Sequence, residues 1–286
     1  MHYIKLKTTA MLPPNTSSLD FLHPWTSPAQ HFGTSQNPRS LAQIMPTITL
    51  ITGANQGIGL ATAKVLAKVH KHHVIIGSRN AEAGAKAAGL LRADGGSVSS
   101  IQLDLTSDAS IEAAVEIIKR EHGRIDTLIN NAGILIDGKN PSQSTRDLFT
   151  ETFATNVIGT AVLTEACLPL LRESSNPNLV FVSSRMGSLH QATVKDTMFY
   201  GVDYKAYDAS KAALNMLALN YARILEDVGA HVNVACPQLV KSNLTGWTDY
   251  GIAPEVAAEH LSYLAALKKE DVVNRTFSDR DGPIAW

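Results

Sequence analysis

TITLITGANQGIG, residues 47–59, sets a short β-branched run directly against a turn holding Gly53, Gly57 and Gly59. No charge interrupts Thr47 to Thr52, as expected of a strand buried on both faces. From Gly57, GIGLATAKVLAKVHK continues with apolar residues at helical spacing. Glycine at such a handover permits positive φ and removes the Cβ that would hold a phosphate away. The helix start then offers unpaired N–H groups and the positive end of its dipole to an anion. The spacing is G-x-x-x-G-x-G rather than the commoner G-x-G-x-x-G. Taken alone, the turn is either a tight connection or a diphosphate cradle; its position after the first strand favours the cradle, with Asn55, Gln56 and Ile58 lying between its glycines.

Outward from this turn the alternation repeats. HVIIG (73–77) runs into AEAGAKAAGLLRA, SVSSIQLD into SIEAAVEIIKREHG, and IDTLIN (125–130) into a long helical tract through TFATNVIGTAVLTEACLPLL. LVFVSS (179–184), a helix containing YDASK and continuing to Glu226, and HVNVAC (231–236) follow. Ile111, Ala114, Val115 and Ile118 recur at the helical period and mark one buried face. Strands apolar on both faces, alternating with helices, predict an α/β, doubly wound, parallel sheet in one domain over residues 46–286.

Residues 1–45 are of another kind. MLPPNTSSLDFLHPWTSPAQHFGTSQNPRS is rich in Pro, Ser, Thr, Asn and Gln, carries the single acid Asp20, and has no period. It reads as a flexible extension. Scarce acids leave mitochondrial import open, prolines and few arginines weigh against it, and a working start at Met45 is a further possibility; the expected location is cytoplasmic.

Of 286 residues, 44% are hydrophobic and 18% charged, and the net charge is −1. That balance argues against nucleic acid and anionic membrane surfaces and for a small-molecule partner. No apolar run reaches the ~18 residues that span a bilayer; AVLTEACLPLL is broken by Glu165 and Pro169, so a soluble protein is expected. The two cysteines, Cys167 and Cys236, sit among apolar neighbours and read as buried thiols, and nothing has metal-ligand spacing.

Two further features carry chemistry. GSRN (77–80) ends the second strand with Arg79, and no carboxylate follows before Glu82. An acid here would hold the ribose 2′-hydroxyl of NAD, whereas an arginine accommodates the 2′-phosphate of NADP, so NADP(H) is expected over NAD(H). The same basic residue disfavours a methyltransferase, which needs an acid there. YDASK (207–211) puts Tyr207 one helical turn before Lys211. An ammonium so placed favours phenolate, and the tyrosine pKa is expected to fall below ~10. Tyr200 and Tyr204 have no lysine four residues on.

TGANQGIG, NNAG (130–133) and YDASK, in this order, resemble the short-chain dehydrogenase/reductase family over residues 47–286, and GSRN and the ending DRDGPIAW resemble its NADPH-dependent carbonyl reductases and fungal-type ketoreductases. The resemblance implies a Rossmann-type, mostly parallel, seven-stranded sheet. It implies a catalytic set of Asn156, Ser184, Tyr207 and Lys211. Tyr207 would donate the proton, Lys211 lower its pKa and hold the nicotinamide ribose, Ser184 of S-x-x-G hold the carbonyl oxygen, and Asn156 order a water chain. Asp104 with Leu105 would meet the adenine end, Asn131, Ala132 and Gly133 floor the cofactor, and Pro237, Val240 and Ser242 border the nicotinamide.

The chain departs from that pattern in four places. Residues between Ser184 and Tyr207 are more numerous and include Met198, Phe199, Tyr200 and Tyr204, which would wall a substrate pocket or disturb a dimer contact, leaving monomer or homo-oligomer open. Pro237-Gln238 stands where the family has Pro-Gly, Gln56 is neutral where NADP users often carry a base, and residues 1–45 have no counterpart. The expected activity is NADPH-dependent reduction of a ketone or aldehyde on a small, largely apolar molecule, beneath a lid of WTDYGIAPEV (247–256) and DTMFYG. The alternatives are an alcohol dehydrogenase running in the oxidative direction and a regulator that binds NADP(H) without turnover.

Overall fold

The computed structural model describes residues 45–286. The reading of the N-terminal extension as flexible, or as an import signal, falls outside them. Five-residue β1 (Ile48–Thr52) is wholly buried. Beside it run β2 (His73–Ser78) and β3 (Val98–Gln102) on one side, and β4 (Thr127–Asn130), β5 (Asn178–Val182), β6 (His231–Ala235), β7 (Phe277–Asp279) and β8 (Gly282–Pro283) on the other. The order is β3-β2-β1-β4-β5-β6-β7-β8, and every neighbouring pair is parallel except β7 with β8.

Among the described residues the expected seven strands are therefore eight. The extra one is two residues long, too short to leave a periodic signal, and it arises because the chain reverses through Asp279–Gly282, where Gly282 has φ 134°. The doubly wound α/β class stands. Chain order reverses direction between β1 and β4, and in such sheets the crevice at the carboxyl ends of the strands flanking the reversal is where ligands bind.

Two helical layers cover the sheet. α1 (Gly57–Lys68), α2 (Ala81–Ala93) and α7 (Pro254–Ala265) bury Leu66, Leu91, Leu261 and Leu264 against Ile51, Ile76 and Ile129. α3 (Asp108–His122), α5 (Thr160–Arg172) and α6 (Lys205–Ile224) bury Ile111, Ile118, Leu163, Cys167 and Leu214 on the opposite face. Ser107 caps α3 by accepting from the Ser110 N–H, and Gly123 ends it at φ 72°. The YDASK helix stops at Ile224 and a short 3₁₀ turn, Glu226–Val228, follows it.

The tract expected as one helix is α4 (Thr145–Phe153), a π-helical turn (Ala154–Gly159) and α5 in unbroken succession. Thr145–Arg172 is long and apolar enough by length and composition to cross a membrane, its most apolar 18-residue stretch having a mean hydropathy of 1.4, which corrects the expectation that no such segment exists. Its apolar side is used here in the core: Leu163, Leu170 and Leu171 are buried in the cluster that α5 forms with α3 and β4.

Candidate active site

The carboxyl ends of β1 and β4 are bound together through Thr52. Its Oγ1 accepts the N–H groups of Asn131 and Ala132 at 2.9 and 2.8 Å, and Asn131 Nδ2 donates to Thr52 O at 2.7 Å. Sequence reasoning read Asn131–Gly133 as floor but missed Thr52, whose hydroxyl, a strand's last side chain, makes that floor rigid. In front of it lies a cavity of about 470 Å³ bordered by Gly53, Asn55–Leu60, Arg79, Asp104, Asn131–Gly133 and Ser242.

The glycine turn fits an anion. Gln56 precedes α1 without a side-chain cap, and no acid occupies the first helical turn, so the first N–H groups have no intrahelical or side-chain partner. Gly57 has φ 55°, and a Cβ on it would meet nothing nearer than Ser242 Cβ at 3.9 Å, across the cleft. Any side chain there would occupy the groove itself. Gly59 serves packing: a Cβ would lie 2.6 Å from Asn131 Nδ2. These residues therefore suit the diphosphate of a dinucleotide. Arg79 is exposed and borders the same cavity; among the described residues its side chain makes no ion pair. Asp104 borders it too while ordering its own turn, its Oδ1 accepting from Thr106 N and Oγ1 at 3.0 and 2.8 Å.

A second cavity, about 340 Å³, adjoins the first and shares Ile58, Asn131, Gly133 and Ser242 with it. Ser184, Tyr207, Lys211, Pro237 and Val240 line it, as do Met198, Phe199 and Tyr204 from the long segment before α6. Both segments expected as a lid contribute, but only in part. Trp247 and Thr248 border the cavities, whereas Tyr250 is 88% exposed and Pro254–Val256 open α7, a core helix. That half of the lid expectation is corrected, because Ala257, Ala258 and Leu261 must stay packed on α1.

Tyr207 and Lys211 are held from several sides. Tyr204, at the start of α6, supplies no side-chain cap; Asp137 does so from the segment after β4, accepting from the N–H groups of Ala206 and Tyr207 at 2.9 and 3.3 Å. No local pattern could reveal a cap 69 residues away. Gly187 lets the post-β5 segment touch α6, since a Cβ there would stand 2.6 Å from the Lys211 carbonyl carbon. Ser183 donates to Lys211 O at 3.3 Å, and the Ser184 hydroxyl, which accepts from Met186 N at 3.2 Å, lines the same cavity as the Tyr207 phenol. Of the adjacent serines, Ser184 is the one at the phenol.

The electrostatics differ from the expectation. Burial pushes Tyr207 well above its usual value, Cys236 and Asp208 add to the rise, and the Ser184 hydroxyl opposes it. Burial also lowers Lys211 from 10.5 to about 8. Lys211 Nζ stands 5.6 Å from the Tyr207 ring centre and donates to Val182 O at 2.8 Å. The expected acidic phenol is thus corrected: loss of hydration dominates, and what pulls Tyr207 back down is Ser184, not Lys211.

Asn156 sits in the π-helical turn, a distortion common at functional sites. Its Oδ1 accepts from Ile134 N at 2.8 Å, and its Nδ2 donates to Ile134 O at 2.9 Å and Ser210 Oγ at 3.0 Å. It borders neither cavity and instead clasps the chain after Gly133; alone among the expected site residues it lies behind the walls. Gln238 adopts φ 65°, the conformation that favours glycine.

A family model described as short chain dehydrogenase matches residues 47–249. The chain is 35% identical over 215 residues to short-chain dehydrogenase anuI of Penicillium roqueforti, covering 72% of this chain and 83% of that one. It is also 35% identical over 210 residues to mouse retinol dehydrogenase 14, covering 68% and 61%. Among solved structures, NADPH-bound carbonyl reductase from chicken fatty liver superposes with a TM-score of 0.72 at 26% identity, over 84% of this chain and 99% of that one.

Proposed function

The chain belongs to the short-chain dehydrogenase family, and on that premise we propose that it reduces the ketone or aldehyde carbonyl of a small, largely apolar molecule with NADPH. One observation carries the reading: the Ser184–Tyr207 hydroxyl pair and Lys211 face an apolar-walled cavity that opens onto the glycine-turn cleft. The chicken carbonyl reductase, whose structure holds NADPH, supports the choice of cofactor, as does Arg79 at the end of β2 where a 2′-phosphate would lie.

Gly57–Gly59 and Arg79 would hold the dinucleotide, and Asn131–Gly133 with Ser242 its nicotinamide end. When bound, the cofactor supplies the hydride. The protein's part is the proton. A carbonyl in the second cavity accepts hydrogen bonds from Ser184 Oγ and Tyr207 Oη. As negative charge develops on its oxygen, Tyr207 transfers its proton there. A buried phenol whose pKa is raised stays fully protonated before that step, which suits a donor. The Lys211 ammonium then offsets the phenolate left behind. Asn156 keeps the chain beneath the site in place.

Steady-state oxidation of NADPH and of NADH with a panel of aldehydes and ketones tests this. NADPH-dependent turnover is expected, with Tyr207→Phe lowering kcat at least ~100-fold, and Arg79→Ala weakening NADPH more than NADH. Full turnover in Tyr207→Phe, or tighter binding of NADH than NADPH by the wild type, overturns it.

A further inference from the structure

The two walls of the carbonyl cavity leave the sheet side by side. Val182 pairs with Ala235 at the end of the β5–β6 ladder, and Ser183 N still donates to Ala235 O at 2.8 Å. Beyond it the chains diverge into Ser184–Met186 on one wall and Cys236–Val240 on the other. Arg185 N still reaches Cys236 Sγ at 3.3 Å; farther out, what spans them is a buried acid from β7. Asp279, its side chain fully shielded from solvent, receives Arg185 Nη2 and Nε on Oδ2 at 2.5 and 3.1 Å, and Gln238 Nε2 on the same oxygen at 3.2 Å. Its Oδ1 accepts the Asp281 N–H at 2.9 Å, and Asp281 Oδ2 takes Gln238 Nε2 at 2.5 Å.

Gln238 holds these bonds from φ 65°, a region that glycine enters freely and a residue with a Cβ does not. A glycine would suit that backbone better, yet it has no amide to reach Asp279. The side chain that strains the turn is the one that ties it.

We propose that Asp279 and Gln238 are positioning residues: with Arg185 they clamp the Ser184 wall to the Pro237–Val240 wall, setting the width of the carbonyl cavity and so which carbonyl compounds it takes. The clamp acts through Ser184, one residue before Arg185, and through Val240, two residues after Gln238. Rigid, pre-set walls discriminate between substrates better than walls that yield. The substrate-range half of this rests on the reductase reading; the mechanical half does not.

Gln238→Gly separates the two halves from simple loss of fold, because it relieves the backbone while removing the tie. Stability of the full chain in urea is expected to equal or exceed that of wild type. Amide exchange in residues 183–190 (the opposite wall) is expected to quicken about threefold or more, and Asp279→Asn to quicken both walls. The ratio of kcat/KM for phenanthrenequinone, a rigid tricyclic diketone, to that for para-nitrobenzaldehyde is expected to change about fivefold in Gln238→Gly, chiefly through the KM of the larger compound. The double variant is expected to go no further than Asp279→Asn, as members of one unit do. Unchanged exchange in 183–190 overturns the clamp, and faster exchange with an unchanged ratio overturns its control of substrate range. If wild type oxidises NADPH with neither carbonyl, the reductase reading falls, and exchange still decides the clamp.

Discussion

The ammonium of Lys211 lies 5.6 Å from the centre of the Tyr207 ring and donates to Val182 O at 2.8 Å. One turn of helix brings the two residues together, but β5 fixes where the charge goes. The strand-end carbonyl accepts one N–H of the ammonium and leaves the others for whatever lies in the cavity.

That arrangement sets a pH profile. Lys211 loses its charge near pH 8, against 10.5 for a free lysine. Reduction that depends on its charge is expected to hold a plateau below that pH and to fall above it. Lys211→Arg, charged throughout, is expected to be slower but to lack the fall near pH 8. Steady-state kcat/KM across this range checks it; a wild-type profile flat to pH 10 speaks against a charged Lys211 in the step.

Asp208 offers a second pH test, on stability. Burial, then the charges of Asp137 and Asp203, raise it from 3.8 to about 6. A carboxyl whose folded pKa lies above its unfolded one binds more protons folded than unfolded between those values, so its contribution is full below 3.8 and is lost as pH rises through about 6. Asp208→Asn is therefore expected to unfold at higher urea than wild type at neutral pH, and to flatten the change in midpoint between pH 4 and 6. A variant less stable at neutral pH would count against it.

The remote cap of α6 is separable from its cavity-lining face. Asp137→Ala removes the acceptor for the N–H groups of Ala206 and Tyr207 and is expected to cost about 1–2 kcal/mol of unfolding free energy. Because one of the freed amides belongs to Tyr207 itself, kcat is expected to fall with it, and Asp137→Asn, which keeps an acceptor, to recover most of both. Urea unfolding and initial rates measure the two effects on the same samples.

Gly187 makes the sharpest packing prediction. A methyl group there would press on the backbone of Lys211 at 2.6 Å, which no side-chain rotation relieves. Gly187→Ala is expected to cost about 2 kcal/mol or more and to reduce turnover by displacing both Ser184 and α6. A fully active, fully stable variant would mean that the post-β5 segment shifts more freely than this packing allows.

How much was legible beforehand follows from how far apart the cooperating atoms stand in the chain. Tyr207 with Lys211, and Gly53 with Gly57 and Gly59, are local patterns whose geometry one helix or one turn dictates, so spacing alone exposes them. Arg79 is read from its place at a strand end, which needs only the strand. Thr52 to Asn131, Asp137 to Ala206 and Arg185 to Asp279 cross 79, 69 and 94 residues. No period or motif joins such partners, and each is an ordinary polar residue until the sheet is assembled. The eighth strand escaped notice for a related reason, being two residues paired only because the Asp279–Gly282 turn folds them back.

By itself the sequence determined the alternation of apolar strands with helices, the anion-ready turn and the residues proposed to move a proton, because hydrophobic period and short-range spacing are properties of neighbours along a chain. Tertiary structure alone decided the acidity of those residues and the shape of the space before them. Burial took Tyr207 away from the low pKa that its neighbour implied, and water lost on folding is set by what packs from elsewhere, which no neighbour in sequence records.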